Sequence, residues 1–394
     1  MTAAVEAPSG AATDMTLTGG RVVTPDGVRW ADVTIRGGRI AEVSEQAPGR
    51  VAVDAVDLGG RWLLPGFVDL HVHGGDGAQF NTRDVAEVQR AAAFHARHGT
   101  TALLATTVAA PVGELLDALT AIGAATAAPA AGAAQVLGAH LEGPFLSRRR
   151  PGAMEQAHFL EPAQAPDAVE RLLAGGPVRS ISLAPELPGA LELTRAAVAR
   201  GVVVSLAHTD ADEAQARAAI DAGARAVTHA FNAMRPLHHR EPGLIGVALE
   251  RDELTCELIC DGVHVDPTVV RLLLRLKGPR RTALVTDAIE ATGLPDGDYR
   301  LGDRAVCVRG GRATLPGEQT IAGATLTMDA AVRNAVLLGE ATVADAARMA
   351  ATTPAELLGI DDVKGSIAPG RDADLVVLDD DLAVARVLAR GQWV

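Results

Sequence analysis

Cysteine is scarce in this 394-residue chain, with only Cys256, Cys260 and Cys307 present. Three thiols make no disulfide framework, and the C-x-x-x-C spacing of the first two is a poor zinc pair. The expectation is buried thiols in a reducing cytoplasm. Aromatic residues are 3% of the chain, which leaves its core to aliphatic side chains. Long apolar runs are missing as well. The Ala-rich stretch 121–134 is broken by Pro129 and too weakly hydrophobic for a bilayer, so no membrane partner is expected. The opening MTAAVEAPSGAATD has neither a basic start nor an apolar h-region. Residues 1–14 therefore read as a disordered tail rather than a signal peptide. Positive charge is also in deficit. A net charge of −13 disfavours nucleic acid as a partner, because phosphate backbones need a basic face. It leaves room for a small anionic substrate, since a local Arg/His cluster is screened from distant surface charge.

Two textures of sequence are present. Residues 15–64 and 365–394 are short β-runs punctuated by glycine pairs and turns, as in TLTGGRVV and ARGQWV. Residues 65–364 alternate aliphatic runs with Ala- and Leu-rich segments of helical period. Eight runs qualify as strands: FVDLHVHG, TTALLATT, QVLGAHLEGP, RSISLAPE, VVVSLAHT, AVTHAFNA, TCELICDGVHV and TALVTDAIE. The segment ARAAIDAGAR reads as a helix, with Asp210 and Asp212 as caps. Repeated βα units of this number predict an α/β fold, a TIM (β/α)8 barrel, with a small β-sandwich domain formed by both termini. An open doubly wound sheet is the rival, but no G-x-G-x-x-G follows an early strand.

Barrel active sites form at the C-terminal ends of the strands. There the sequence places His71 and His73 on strand one, Glu142 on strand three and His208 on strand five. His229, His264 and Asp287 follow on strands six, seven and eight. Residues two apart on a strand share a face, so His71 and His73 aim together. A lone histidine is more often a satisfied structural residue, and His95 and His98 read as solvated positions on an outer helix. Strand-end placement on six of eight strands is a different matter and points to a divalent metal. Imidazole and carboxylate donors suit Zn²⁺, or Fe²⁺, Mn²⁺ or Co²⁺ by availability. Glu142, His208 and His229 make one three-ligand site; His71 and His73, with Glu142 bridging, make a second. One ion or two per subunit fits these residues.

This pattern resembles the amidohydrolase superfamily. More specifically, PGFVDLHVHG, HLEGPFL, AHTDA, THAFNAM, REPGLIG, DGVHVDP, VTDAIEATG and AGATLTMDAAVRN are similar to the N-acetylglucosamine-6-phosphate deacetylase family. The similarity runs from about Gly66 to Gly370, plus the flanking sandwich. Dihydroorotase- and urease-like members of the superfamily bridge two metals with a carbamylated lysine on an inner strand. The only lysines here, Lys277 and Lys364, both follow His229 and cannot serve, so Glu142 takes that place.

The resemblance implies hydrolysis of an N-acetyl amide on an amino sugar phosphate, with Asp287 passing a proton from water to the departing amine. It also implies phosphate contacts from Arg240 and His264, with backbone N–H groups around Asn232 and Ala233, and a homodimer. One position departs from the pattern: Met154 stands where the family often carries a His or Gln that holds the substrate carbonyl, and a thioether cannot donate that bond. Gln156 or His158 would substitute after a loop shift, or the metal alone would suffice. Other Glu-bridged amidohydrolases, acting on acyl amino acids or isoaspartyl dipeptides, are the alternative, and a non-catalytic barrel is a further one.

Overall fold

The computed structural model describes residues 14–45 and 55–394. Apart from Asp14, the expected tail lies outside the described residues. Eight parallel strands form one sheet in chain order: Phe67–Val72, Thr100–Thr107, Gln135–Glu142, Val178–Leu183, Val203–Leu206, Ala226–Val227, Thr255–Ile259 and Thr282–Val285. All eight stand where the apolar runs predict them. Phe67, Val68, Leu70 and Val72 are buried on both faces, which is why these runs show no polar alternation: one face fills the barrel and the other lies under helices.

At the seam between strands eight and one, the Asp287 N–H donates to the His71 carbonyl at 2.9 Å. The Thr286 hydroxyl donates to the Asp69 carboxyl at 2.6 Å. Burial pushes Asp69 up to about 7, against the bonds it receives from Thr286 and His71. Each connection between successive strands contains a helix, from Val85–Arg97 to Pro267–Lys277, and Met328–Leu337 follows strand eight. The helix Glu213–Asp221 is capped by Asp212 in a reciprocal box with Gln215. Asp210, the other expected cap, is used elsewhere.

The two termini build a second sheet with its own core of Leu17, Val33, Ile35, Leu63, Leu375 and Leu388, among others. Within it, Leu375–Leu378 pairs antiparallel with Trp62–Pro65, so the end of the chain returns to the strand that leads into the barrel. Lys364, almost fully buried, bonds Asp374 at 2.6 Å and Asp372 at 2.9 Å beneath this junction.

Two features differ from the sequence reading. A three-stranded antiparallel sheet, Gly297–Leu301, Arg304–Arg309 and Arg312–Thr314, is inserted after strand eight. It packs over the barrel mouth on Val108, Leu146, Met154, Phe159 and Ile289. His95, expected in solvent, is fully buried: one ring nitrogen lies 2.8 Å from the Gly74 carbonyl. Burial pushes its pKa down to about 4, so the ring is neutral at pH 7. Its helical neighbours Ala91, Ala92 and Ala96 are buried too, so it belongs to the inward face.

Candidate active site

Glu142 ends the third strand and meets four imidazoles. Its Oε1 lies 3.2 Å from His208 Nε2 and 2.9 Å from His229 Nε2. Its Oε2 lies 3.4 Å from His71 Nε2 and 3.2 Å from His73 Nε2. One carboxylate therefore spans two histidine pairs. Asp287 completes the floor, with Oδ1 3.1 Å from His73 Nε2 and 3.5 Å from His71 Nε2.

The backbone pays for this convergence. His208, His229 and Asp287 have φ of 43°, 30° and 49°, and Phe231 and Ala233 on the strand-six loop have 76° and 48°. Non-glycine residues avoid this left-handed region, at roughly 1–3 kcal/mol each. Hydrogen bonds hold them there. Ser147 N–H donates to the His208 carbonyl at 2.9 Å, Thr209 N–H to Ala233 at 3.1 Å, and Ala324 N–H to Asp287 at 2.8 Å. The Asp210 carboxylate ties three loops together by accepting from Arg149, Arg150 and Arg235 at 3.3, 2.8 and 3.2 Å. The same Arg150 offers its carbonyl to His208 Nδ1 at 3.0 Å. Gly152 sits against that ring with φ 58°, and a Cβ there would lie 2.9 Å from His208 Cε1.

Far-side partners orient two of the four rings, while Nδ1 of His73 and of His229 is buried without a partner among the described residues. His71 Nδ1 lies 3.1 Å from the Glu257 carboxylate, and His208 Nδ1 donates to Arg150. The Nε2 atoms then face each other, 3.1 Å apart for His71 and His73 and 3.2 Å for His208 and His229. In each pair one ring can donate its Nε2–H to the other, or both Nε2 lone pairs can turn to a shared cation. Burial would raise the Glu142 pKa, but the charge of His71 and the bonds from His208 and His229 hold it well below the carboxylate range. Burial likewise opposes ionisation of Asp287, and His71 and His73 bring it down to about 2. The ligand atoms of Glu142, His208 and His229 lie within 4.8 Å of one another, as do those of His71, His73 and Asp287. Two buried sets of two imidazoles and one carboxylate fit a divalent metal.

Above this floor opens a cavity of about 320 Å³. Asn232, Ala233 and His264 line one side, Ala153, Met154 and Leu301 another, and Gln319, Thr320 and Ile321 form part of the rim. The Asp261 carboxylate holds His264 Nδ1 at 2.7 Å, which leaves Nε2 for a ligand. Asn232 N–H is committed to the His229 carbonyl at 2.9 Å, whereas Ala233 N–H has no acceptor among the described residues.

The structure thus brings together every site residue expected from sequence except Arg240. That arginine lies in a separate surface depression with Arg235, Glu241 and Pro242, its guanidinium 2.7 Å from His239. Gln156 and His158 form a 3₁₀ turn away from the cavity, and His158 faces Asp303 at 3.0 Å. Neither substitutes for a donor at Met154. Sequence reasoning missed Glu257, Asp210 and the Gln319 rim. Glu257 carried a signal, as a lone acid inside the apolar strand TCELI.

The amidohydrolase family matches residues 62–394. N-acetylglucosamine-6-phosphate deacetylase of Homo sapiens is 40% identical over 378 residues, covering 92% of this chain and 91% of that protein. N-acetylgalactosamine-6-phosphate deacetylase of Escherichia coli O157:H7 is 38% identical, covering 94% and 97%. Among solved structures, an aspartate-to-alanine variant of N-acetyl-D-glucosamine-6-phosphate deacetylase from Mycobacterium smegmatis, in complex with N-acetyl-D-glucosamine-6-phosphate, superposes with a TM-score of 0.91. It is 39% identical and covers 97% of this chain and 99% of that one.

Proposed function

The chain belongs to the amidohydrolase family, and we propose that it hydrolyses the N-acetyl amide of N-acetylglucosamine 6-phosphate to glucosamine 6-phosphate and acetate. The observation that carries this reading is Glu142 spanning two histidine pairs at the floor of a cavity whose side wall offers His264 and the Ala233 N–H. Relatives named for this reaction, alike over nine-tenths of the chain, support it.

Glu142, His208 and His229 would hold the tighter ion, and His71 and His73 with Glu142 a second; Zn²⁺ suits these donors best, with Fe²⁺, Mn²⁺ or Co²⁺ sharing the preference. When bound, such an ion supplies Lewis acidity, lowering the pKa of a water toward about 7 and polarising the acetyl carbonyl. Asp287 does the proton work. An amide nitrogen leaves poorly as an anion, so one group must take the proton of the attacking water and return it to the nitrogen as the C–N bond breaks. Asp287 is buried with Oδ1 3.1 Å from His73 Nε2 and is fixed through its own N–H and carbonyl, in position to accept. The insertion and the Met154 cluster wall off one side of the reacting centre from solvent.

At the far end the 6-phosphate is held by His264 Nε2, the Ala233 N–H and the Asn232 loop. Arg240 lies outside the cavity of its own subunit, and in this reading it reaches the phosphate from the partner subunit of a homodimer. Buried Cys256 and Cys260 agree with a cytoplasmic enzyme.

Acetate release from N-acetylglucosamine 6-phosphate, measured beside elemental analysis of the purified protein, tests the proposal. Turnover that rises with bound metal is expected. Full metal occupancy without acetate release overturns it.

A further inference from the structure

Gln319 and Thr320 are the two polar side chains lining the cavity to which metal binding, proton transfer and the phosphate grip give no part. The Thr320 hydroxyl is engaged with Glu318 at 2.8 Å. The Gln319 carboxamide makes no hydrogen bond among the described residues and is exposed at the rim. Its loop is nonetheless fixed. Leu315 N–H donates to Thr320 at 3.0 Å, Ala322 N–H to Ala313 at 3.1 Å, and Ala324 N–H to the Asp287 carbonyl at 2.8 Å. The rim is therefore fastened to the strand end that carries the proton-transferring residue.

We propose that Gln319 reads the C3–C4 edge of the amino sugar and sets preference at C4; this rests on the hexosamine phosphate reading above. An acetamide on C2 must reach the floor, and a phosphate on C6 must reach His264. A pyranose anchored at those two points has two free edges. One carries the ring oxygen and an anomeric hydroxyl whose configuration interconverts in water. The other carries two hydroxyls of fixed configuration, each a donor and an acceptor. A carboxamide supplies one acceptor and a pair of N–H donors, which matches such a diol. Ala153, Met154, Leu301 and Ile321 offer hydroxyls no side-chain partner, which leaves the Gln319 carboxamide as the uncommitted polar side chain able to bond them. A site built to bond a hydroxyl rejects the analogue that lacks it or turns it away.

The test compares wild type and Gln319→Met on N-acetylglucosamine 6-phosphate, its 4-deoxy analogue and the 4-epimer, N-acetylgalactosamine 6-phosphate. Methionine keeps the length and removes the hydrogen bonds. Wild type should favour the parent sugar over the 4-deoxy compound by about 3–15-fold in kcat/KM, carried mainly by KM. Gln319→Met should lose that discrimination and narrow the gap between the epimers, with metal content unchanged. If the variant discriminates as wild type does, or slows the parent and 4-deoxy sugars equally, the proposal is wrong. Failure of the underlying reading looks different: wild type itself would release no acetate from any of the three.

Discussion

Replacing Asp287 by Asn isolates the proton from the architecture. Asparagine matches the volume and tolerates left-handed backbone, so the φ of 49° costs no more than before. The flanking bonds to the His71 carbonyl and from the Ala324 N–H are main-chain and survive. What disappears is the oxygen, 3.1 Å from His73 Nε2, able to take a proton and give it back. General acid–base catalysis is worth roughly 10²–10⁴-fold, or about 2.7–5.5 kcal/mol at 1.36 kcal/mol per tenfold. Because one residue serves both transfers, the upper half of that range is expected. The assay is kcat from acetate release, with substrate affinity by calorimetry and metal by elemental analysis on the same preparation. Affinity should persist, since the sugar phosphate is gripped elsewhere. Turnover within tenfold of wild type would refute the role. So would a loss of metal that matches the loss of rate, which would make Asp287 a ligand first and a base second.

Glu142→Gln should release metal from both histidine pairs and abolish turnover. The stabilisation that a saturating ion lends, about 2.7 kcal/mol at a hundredfold excess over Kd, should vanish, so chelator no longer shifts the melting curve; an unchanged chelator response would remove Glu142 from the ligand set. Arg240→Ala should lower kcat/KM by about 10–150-fold on the phosphorylated substrate alone. Mixing Arg240→Ala with Asp287→Asn subunits should restore activity, because one mixed site then holds both intact residues; no recovery on mixing contradicts a contact across the dimer. Gly152→Ala should cost about 1–2 kcal/mol for its left-handed backbone and push on His208, weakening metal retention in dialysis; wild-type retention would contradict the packing.

Periodicity made the barrel legible. Each strand's run is largely apolar because both its faces are covered, and six of the eight lead into a polar residue that turns toward the site. The same rule located Glu142 and the histidines. It failed where position depends on packing between loops. Arg240 sits on a connection with no period to read, and the inserted three-stranded sheet, with its glycine-punctuated GDYRLGDRAVCVRGGRAT, falls after the last barrel strand. His95 departs for the opposite reason: its helical spacing with Ala91 and Ala92 marks an inward face, while its polarity argues for solvent. Glu257 was equally readable, as the one acid on a strand with no solvent face.

The pairing of Trp62–Pro65 with Leu375–Leu378 has a consequence for how the chain comes into being. Roughly 300 residues separate these partners, which at 5–20 residues per second means about 15–60 s between their appearances at the ribosome. Throughout that interval the segment bearing Leu63 and Leu64, both fully buried in the end, has one ladder of N–H and C=O groups with no mate. An early strand in that condition is a template for the wrong neighbour. The N-terminal sheet is therefore the last part of the fold to be completed during synthesis, after the eighth barrel strand has already appeared.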